Sequence, residues 1–163
     1  FKDVAPIWFY SLVGNFMERK DDSALWGGET GALLLANMLL TLSRVITFVG
    51  VYTPGVDVLA KDMFELSWSF RDAEVPEIRA AVLFSVGKAV AYLGEETLLG
   101  ILLDASSNNL ARNLQLMARE DPDDECRRLA RQLASAVSST VKNLDPSSQL
   151  VERESRHLNP AET

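Results

Sequence analysis

The sequence holds a single cysteine, Cys126, and a single histidine, His157. A structural zinc site needs four ligands drawn mostly from these two residue types, and a serine–histidine or cysteine–histidine nucleophile needs its base held within reach. Cys126 lies in the first turn of an expected helix beside Arg127 and Arg128, both features that lower a thiol pKa. It also falls on that helix's apolar stripe, and His157 lies in a polar tail, so a buried structural thiol is expected. Asp121, Asp123, Asp124 and Glu125 form an acidic cluster without the glycine and twelve-residue spacing of a calcium loop; helix capping accounts for them. Gly27-Gly28-Glu29-Thr30-Gly31 precedes a helix, but no strand comes before it and no Lys-Ser or Lys-Thr pair follows. It reads as a flexible loop rather than a phosphate cradle. Glu95 and Glu96 are helical neighbours that point apart, so they do not share a substrate. Catalytic, cofactor-binding and metal-binding residues are therefore expected to be none, and partner-binding residues stay unassigned. An enzyme working through Cys126 is the alternative from another class.

Charge narrows the partners. Net charge is −7 over 163 residues, the wrong sign for neutralising phosphates, so no direct nucleic-acid contact is expected. Arg112, Arg119, Arg127, Arg128, Arg131 and Lys142 crowd the later part of the chain but interleave with Glu120, Asp121, Asp123, Asp124 and Glu125. That pattern predicts a solvated face of mixed charge. A lone cysteine fits a reducing compartment. No secretory signal opens the chain, and its start at Phe1 reads as an excerpt from a longer protein. Residues 31–52 are long enough to span a bilayer, but Asn37, Ser43 and Arg44 interrupt them. An arginine deep in a span costs about 2.5–3.5 kcal/mol. No membrane span is expected; the stretch reads as a helix buried on most sides.

The elements that must position these groups are helical. Apolar residues make up 47% and charged residues 24%, which excludes a disordered or collagen-like chain. Hairpin signals and strand alternation are weak, and Pro6, Pro54, Pro76 and Pro122 each stand where a helical pattern begins. Six helices are predicted. The first covers about Ala5 to Lys20 and the second about Glu29 to Val51. The third runs from Pro54 to Phe70 behind a Thr53 cap, on a stripe of Leu59, Met63, Leu66 and Phe70. The fourth covers Pro76 to Leu93, closed by Gly94, with Ile78, Val82, Ser85, Ala89 and Leu93 inward. Leu99, Leu103, Leu110, Leu114 and Met117 keep one register across Ser106-Ser107-Asn108-Asn109, which favours one long fifth helix over 95–119 against two short ones. The sixth begins at Asp121-Pro122 and carries Cys126, Leu129, Ala130, Leu133, Val137, Val141 and Leu144. Residues 145–163 are expected to form a flexible C-terminal tail after a helical domain over 1–144. Within that tail Ser148-Gln149 has the form preferred by phosphatidylinositol-3-kinase-related kinases, a dipeptide common by chance.

Two of these segments align. Glu77-Ile78-Arg79 matches Glu125-Cys126-Arg127, with Ile78 and Cys126 48 positions apart, and each segment goes on with small residues such as Ala80, Ala81, Ala130 and Ala134. Second helices of HEAT-type repeats have this form, at a period of ~40–47 residues. The fold class expected is all-α, a HEAT/armadillo-like α-solenoid segment of about six helices, with a generic helical bundle as the alternative. Trp8, Phe9, Tyr10, Trp26, Trp68 and Phe70 are expected in the core, although tryptophan is also common at interface hot spots.

Three stretches resemble, in order, the C-terminal region of the telomere length regulation protein family. They are the aromatic opening Ile7-Trp8-Phe9-Tyr10, the run from Met38-Leu39-Leu40 through Phe64-Glu65-Leu66-Ser67-Trp68-Ser69-Phe70-Arg71 to Val75 and Ile78-Arg79-Ala80-Ala81-Val82-Leu83, and the segment from Glu120 to Ala130. The resemblance covers about residues 5–144. It implies a non-enzymatic α-solenoid adaptor in a co-chaperone complex, joined to two sister helical-repeat subunits. With the heat-shock chaperone machinery, that complex matures and stabilises phosphatidylinositol-3-kinase-related kinases, with effects on telomere length and DNA-damage signalling. The implied location is cytoplasmic and nuclear. The family's phosphorylated acidic linker is not evident in this sequence. The alternative is a generic helical-repeat structural or transport-type segment that binds protein without a kinase client.

Overall fold

The computed structural model describes residues 5–50, 55–103 and 109–144, without the side chains of Ala5, Pro6, Trp8, Ser23 and 141–144. Thr53, Pro54, Ser106 to Asn108, His157 and the 145–163 tail lie outside the described residues. No strand occurs among the described residues; they form eight helices. These are α1 (Ala5–Arg19), α2 (Ser23–Trp26), α3 (Gly28–Val49), α4 (Val56–Trp68), α5 (Pro76–Val90), α6 (Glu95–Leu103), α7 (Leu110–Glu120) and α8 (Asp124–Leu144).

Three boundaries depart from the sequence reading, each for a local reason. The Lys20–Gly28 stretch is not all loop. Asp22 accepts hydrogen bonds from the backbone N–H groups of Ala24 and Leu25, which starts the single turn of α2. The Trp26 indole N–H then donates to the Arg19 carbonyl at 2.6 Å, satisfying an end carbonyl of α1. Gly28 to Gly31 are helical rather than flexible, and a Cβ on Gly31 would stand 2.5 Å from the Trp26 carbonyl carbon. The expected continuous helix over 95–119 is two helices. Asn109 holds φ −51°, ψ 117° and its side chain accepts from the Arg112 N–H, so α7 begins afresh at Leu110. The register expected across that break fails with it: Leu103 is 78% exposed, and Leu98, at 2%, is the buried leucine of α6. α5 also ends at Val90, four residues before Gly94 closes anything.

Packing is organised around α5. That helix buries Ile78, Arg79, Ala81, Val82, Leu83, Ser85, Val86 and Ala89, which leaves little of its circumference for water. It packs on α3, α4 and α8. α1 packs on α3 and α4, α7 on α8, and α6 on α7. Ala81 and Ala130 are buried, and Ala80 and Ala134 pack half-buried against the core, as the repeat alignment expects of small residues at close helix approaches. Buried hydroxyls are paired: Ser67 of α4 and Ser85 of α5 share a 2.7 Å hydrogen bond, and Ser43 of α3 donates to the Leu39 carbonyl at 2.8 Å.

α3 is long and apolar enough to cross a membrane by length and composition. Its burial is one-sided rather than general. Leu35, Leu39, Leu42, Ile46 and Val49 are buried, while Leu33, Leu34 and Phe48 stay exposed on the other side.

The corrected register of α6 has a direct check. Leu98→Ala should lower unfolding stability by about 2–5 kcal/mol, the usual cost of emptying a buried leucine site. Leu103→Ala should stay within about 0.5 kcal/mol. Urea denaturation of the two variants measures both; equal costs would restore the continuous-helix register.

Candidate functional site

The densest polar cluster lies where α5, the 69–75 connection and the start of α8 meet. Arg79 is buried, and its guanidinium forms a two-pronged pair with Asp121: Nε to Oδ2 and Nη2 to Oδ1, each at 2.8 Å. Its remaining nitrogen, Nη1, donates to the carbonyls of Ala73 at 2.9 Å and Glu74 at 2.8 Å. Asp121 Oδ1 also accepts the Asp123 N–H at 2.9 Å, and Arg127 donates from Nη1 to the Asp121 carbonyl. Asp123 caps α8 by accepting the Cys126 N–H at 2.9 Å. The cap of α8 is thus Asp123, and Asp121, expected in that role, is an ion-pair partner 42 residues from Arg79.

These contacts set the protonation states. The hydrogen bond that Arg79 donates to Asp121 raises the Arg79 pKa above its ordinary value, against a smaller opposing effect of burial. Burial pushes Asp121 upward, but the Arg79 hydrogen bond, the Asp123 N–H and the charges of Arg79 and Arg127 together hold its carboxyl below the usual range. Asp123 is likewise lowered, chiefly by the Cys126 N–H. Cys126 is fully buried; burial first, then the negative charge of Asp121, pushes its thiol up to about 12. The neighbouring arginines do not activate it, because Arg127 reaches Asp121 and Asp124 while Arg128 reaches Glu125. Cys126 Sγ donates instead to the Pro76 carbonyl at 3.4 Å. A protonated, enclosed thiol and a fully hydrogen-bonded ion pair hold α5 to α8. Neither presents a reacting atom to solvent.

Glu95 and Glu96 are exposed in the first turn of α6. Among the described residues no group of three or more His, Cys, Asp or Glu side chains could hold a metal ion. Arg119, Arg127 and Arg128 pair with Glu120, Asp124 and Glu125 along the surface, the mixed-charge face that their interleaving predicts. Trp68 is 4% exposed, stacks with Phe64 at 6.1 Å and lies under the Arg71 guanidinium. Phe16 gathers Trp26 at 5.2 Å and Phe70 at 6.0 Å. Phe9 is buried and Tyr10 is exposed.

The Arg79–Asp121 pair escapes sequence reasoning, although a signal exists. Arg79 and Arg127 are equivalent positions of the two aligned segments, and both arginines converge on Asp121. Comparison with protein-family models, with curated proteins and with solved structures finds no match to this chain.

Asp121→Ala should destabilise the chain by about 3–5 kcal/mol, because it strands a buried guanidinium. The pH dependence follows from the lowered carboxyl. The stabilisation from Asp121 is complete above the unfolded value of about 4 and is lost as pH falls through the lower folded value. Chemical denaturation between neutral and acid pH should therefore show a flatter profile for Asp121→Asn than for the parent chain; superimposable slopes would remove the pair from the account. Iodoacetamide should label Cys126 in denaturant and leave it unmodified in the native chain, read by mass spectrometry, and rapid native labelling would reopen thiol chemistry.

Proposed function

We propose that this chain is a non-enzymatic helical-repeat segment that binds other proteins. The observation that carries the reading is the order of helix neighbours. α1 with α3, α4 with α5 and α7 with α8 pack together in pairs along the chain. The second helices α3, α5 and α8 also touch in sequence, and α1 touches α4. Stacked helix pairs in which each unit meets only its neighbours are the pattern of an α-solenoid, and such arrays present long surfaces to protein partners. The alignment of α5 with α8 supports the same reading, because the aligned residues Ile78 and Cys126 are both buried and Arg79 and Arg127 share Asp121. α3 reads as a core helix of this array rather than a span, with its buried leucines turned to α5 and its neighbours.

The partner class follows from the sequence resemblance described above. On it, the chain acts as an adaptor with sister helical-repeat subunits and the heat-shock chaperone machinery. The clients are phosphatidylinositol-3-kinase-related kinases, in the cytoplasm and nucleus. An acidic surface suits partners with basic patches and makes their association salt-sensitive.

Affinity capture tests this. The tagged 163-residue chain, expressed in its own cells and analysed by quantitative mass spectrometry, should enrich helical-repeat proteins and these large kinases over a tag-only control. Enrichment should fall at high salt. Recovery of no protein above control would contradict the binding role, and recovery of helical-repeat proteins without kinases would assign the generic scaffold instead.

A further inference from the structure

A cleft of about 500 Å³ opens between the N-terminal turns of α3 and α5. Its apolar lining includes the buried Ala32 and Ile78, the half-buried Val75 and Trp26, and Leu33, which is 60% exposed. Gly28 and the exposed Glu29, Glu74 and Glu77 complete it, and no lysine or arginine lines it. We propose that this cleft docks a short basic and apolar segment of a partner protein, with an aliphatic side chain on Ala32, Val75 and Ile78 and adjacent lysine or arginine heads at Glu29, Glu74 and Glu77. The proposal rests on the protein-binding reading above and gives it a surface.

Charge complementarity selects this occupant. Glu29 and Glu77 stand in first helical turns, where a carboxylate is favoured by the helix dipole. Glu74 lies outside any helix, so that explanation does not reach it. None of the three carboxylates takes part in the ion pairs found among the described residues. A third carboxylate beside an apolar floor therefore leaves a net negative rim that a cationic, aliphatic segment would neutralise. A cavity of this size falls in the range of ~300–1,000 Å³ typical of ligand sites. Nucleic acids and anionic lipid surfaces carry the same sign as the rim, and a second copy of this chain, at −7, is repelled as a whole.

The cleft is also held in place before anything binds. The Glu74 carbonyl accepts Arg79 Nη1 at 2.8 Å, and the same guanidinium is clamped by Asp121. The connection carrying Glu74 and Val75 is thereby tied to α5 and α8, which lowers the ordering cost of association.

The probe is a synthetic amidated amphipathic peptide of about twelve leucine and arginine residues, paired with a charge-reversed leucine and glutamate version. Isothermal titration into the full chain should show binding of the first and none of the second. The double variant Glu74→Gln, Glu77→Gln should weaken the arginine peptide by about tenfold. Glu95→Gln with Glu96→Gln makes the same change of net charge on α6 and should weaken it less than about twofold. Leu33→Ala should also weaken it, which separates an apolar seat from charge attraction alone. Equal loss in the two double variants, or no loss in either, overturns the proposal. So does concentration-dependent dimerisation abolished by Glu74→Gln, Glu77→Gln, which would give the cleft to a second copy. Captured partners that bind this variant as well as the parent sink the cleft and leave the binding role intact. Selective peptide binding with no captured partner sinks the role and leaves the cleft.

Discussion

A helix apolar on nearly every side has to be enclosed, and α5 is that helix. Val82, Val86 and Ala89 are wholly buried, and Ile78, Ala81 and Leu83 nearly so. Full burial of a valine or leucine side chain is worth about 1.5–3 kcal/mol, so a short helix carrying several of them gains most of its stability from its neighbours. α3, α4 and α8 supply the enclosure, and the remaining helices reach the core mainly through these. The local propensity of α5 matters less. Its first turn is helped by Pro76, which has no N–H to leave unpaired.

Apolar burial is non-directional, and it does not choose the register of one helix against another. Polar pairs do that here. Ser67 with Ser85 joins α4 to α5, and Arg79 with Asp121 joins α5 to the start of α8. A buried ion pair adds little net stability over a well-packed apolar substitute, but a mismatched partner leaves a charge stranded. The pair therefore penalises sliding of α8 along α5. Because Arg79 also holds the Ala73 and Glu74 carbonyls, the connection between α4 and α5 takes its shape from the same guanidinium.

What was legible in the sequence was what periodicity and local capping encode. Leu59, Met63 and Leu66 repeat at helical spacing and are all fully buried, and Pro76 marks the start of α5. The failures came where local signals compete or where the partner is distant. In α6 the run Leu98-Leu99-Gly100-Ile101-Leu102-Leu103 offers several apolar faces, and a single register through Asn109 chose the wrong one. Asn109 is a good cap and a poor helix-interior residue, and that preference decided the break. Asp121 looked like a cap because caps are local; its partner, 42 residues away, becomes visible only when α5 meets α8. The acidic cleft was hidden for the same reason, since Glu29 lies in α3 and Glu74 in the distant connection between α4 and α5.

α3, α4 and α8 all pack on α5, so the stability of this core depends on that helix. Hydrogen exchange of the native chain, followed amide by amide, addresses that dependence most directly. The account predicts that the amides of Val82 to Ala89 exchange slowest of all and only through global unfolding, with α6 opening far more readily. Amides of α5 exchanging as fast as those of α6 would contradict it.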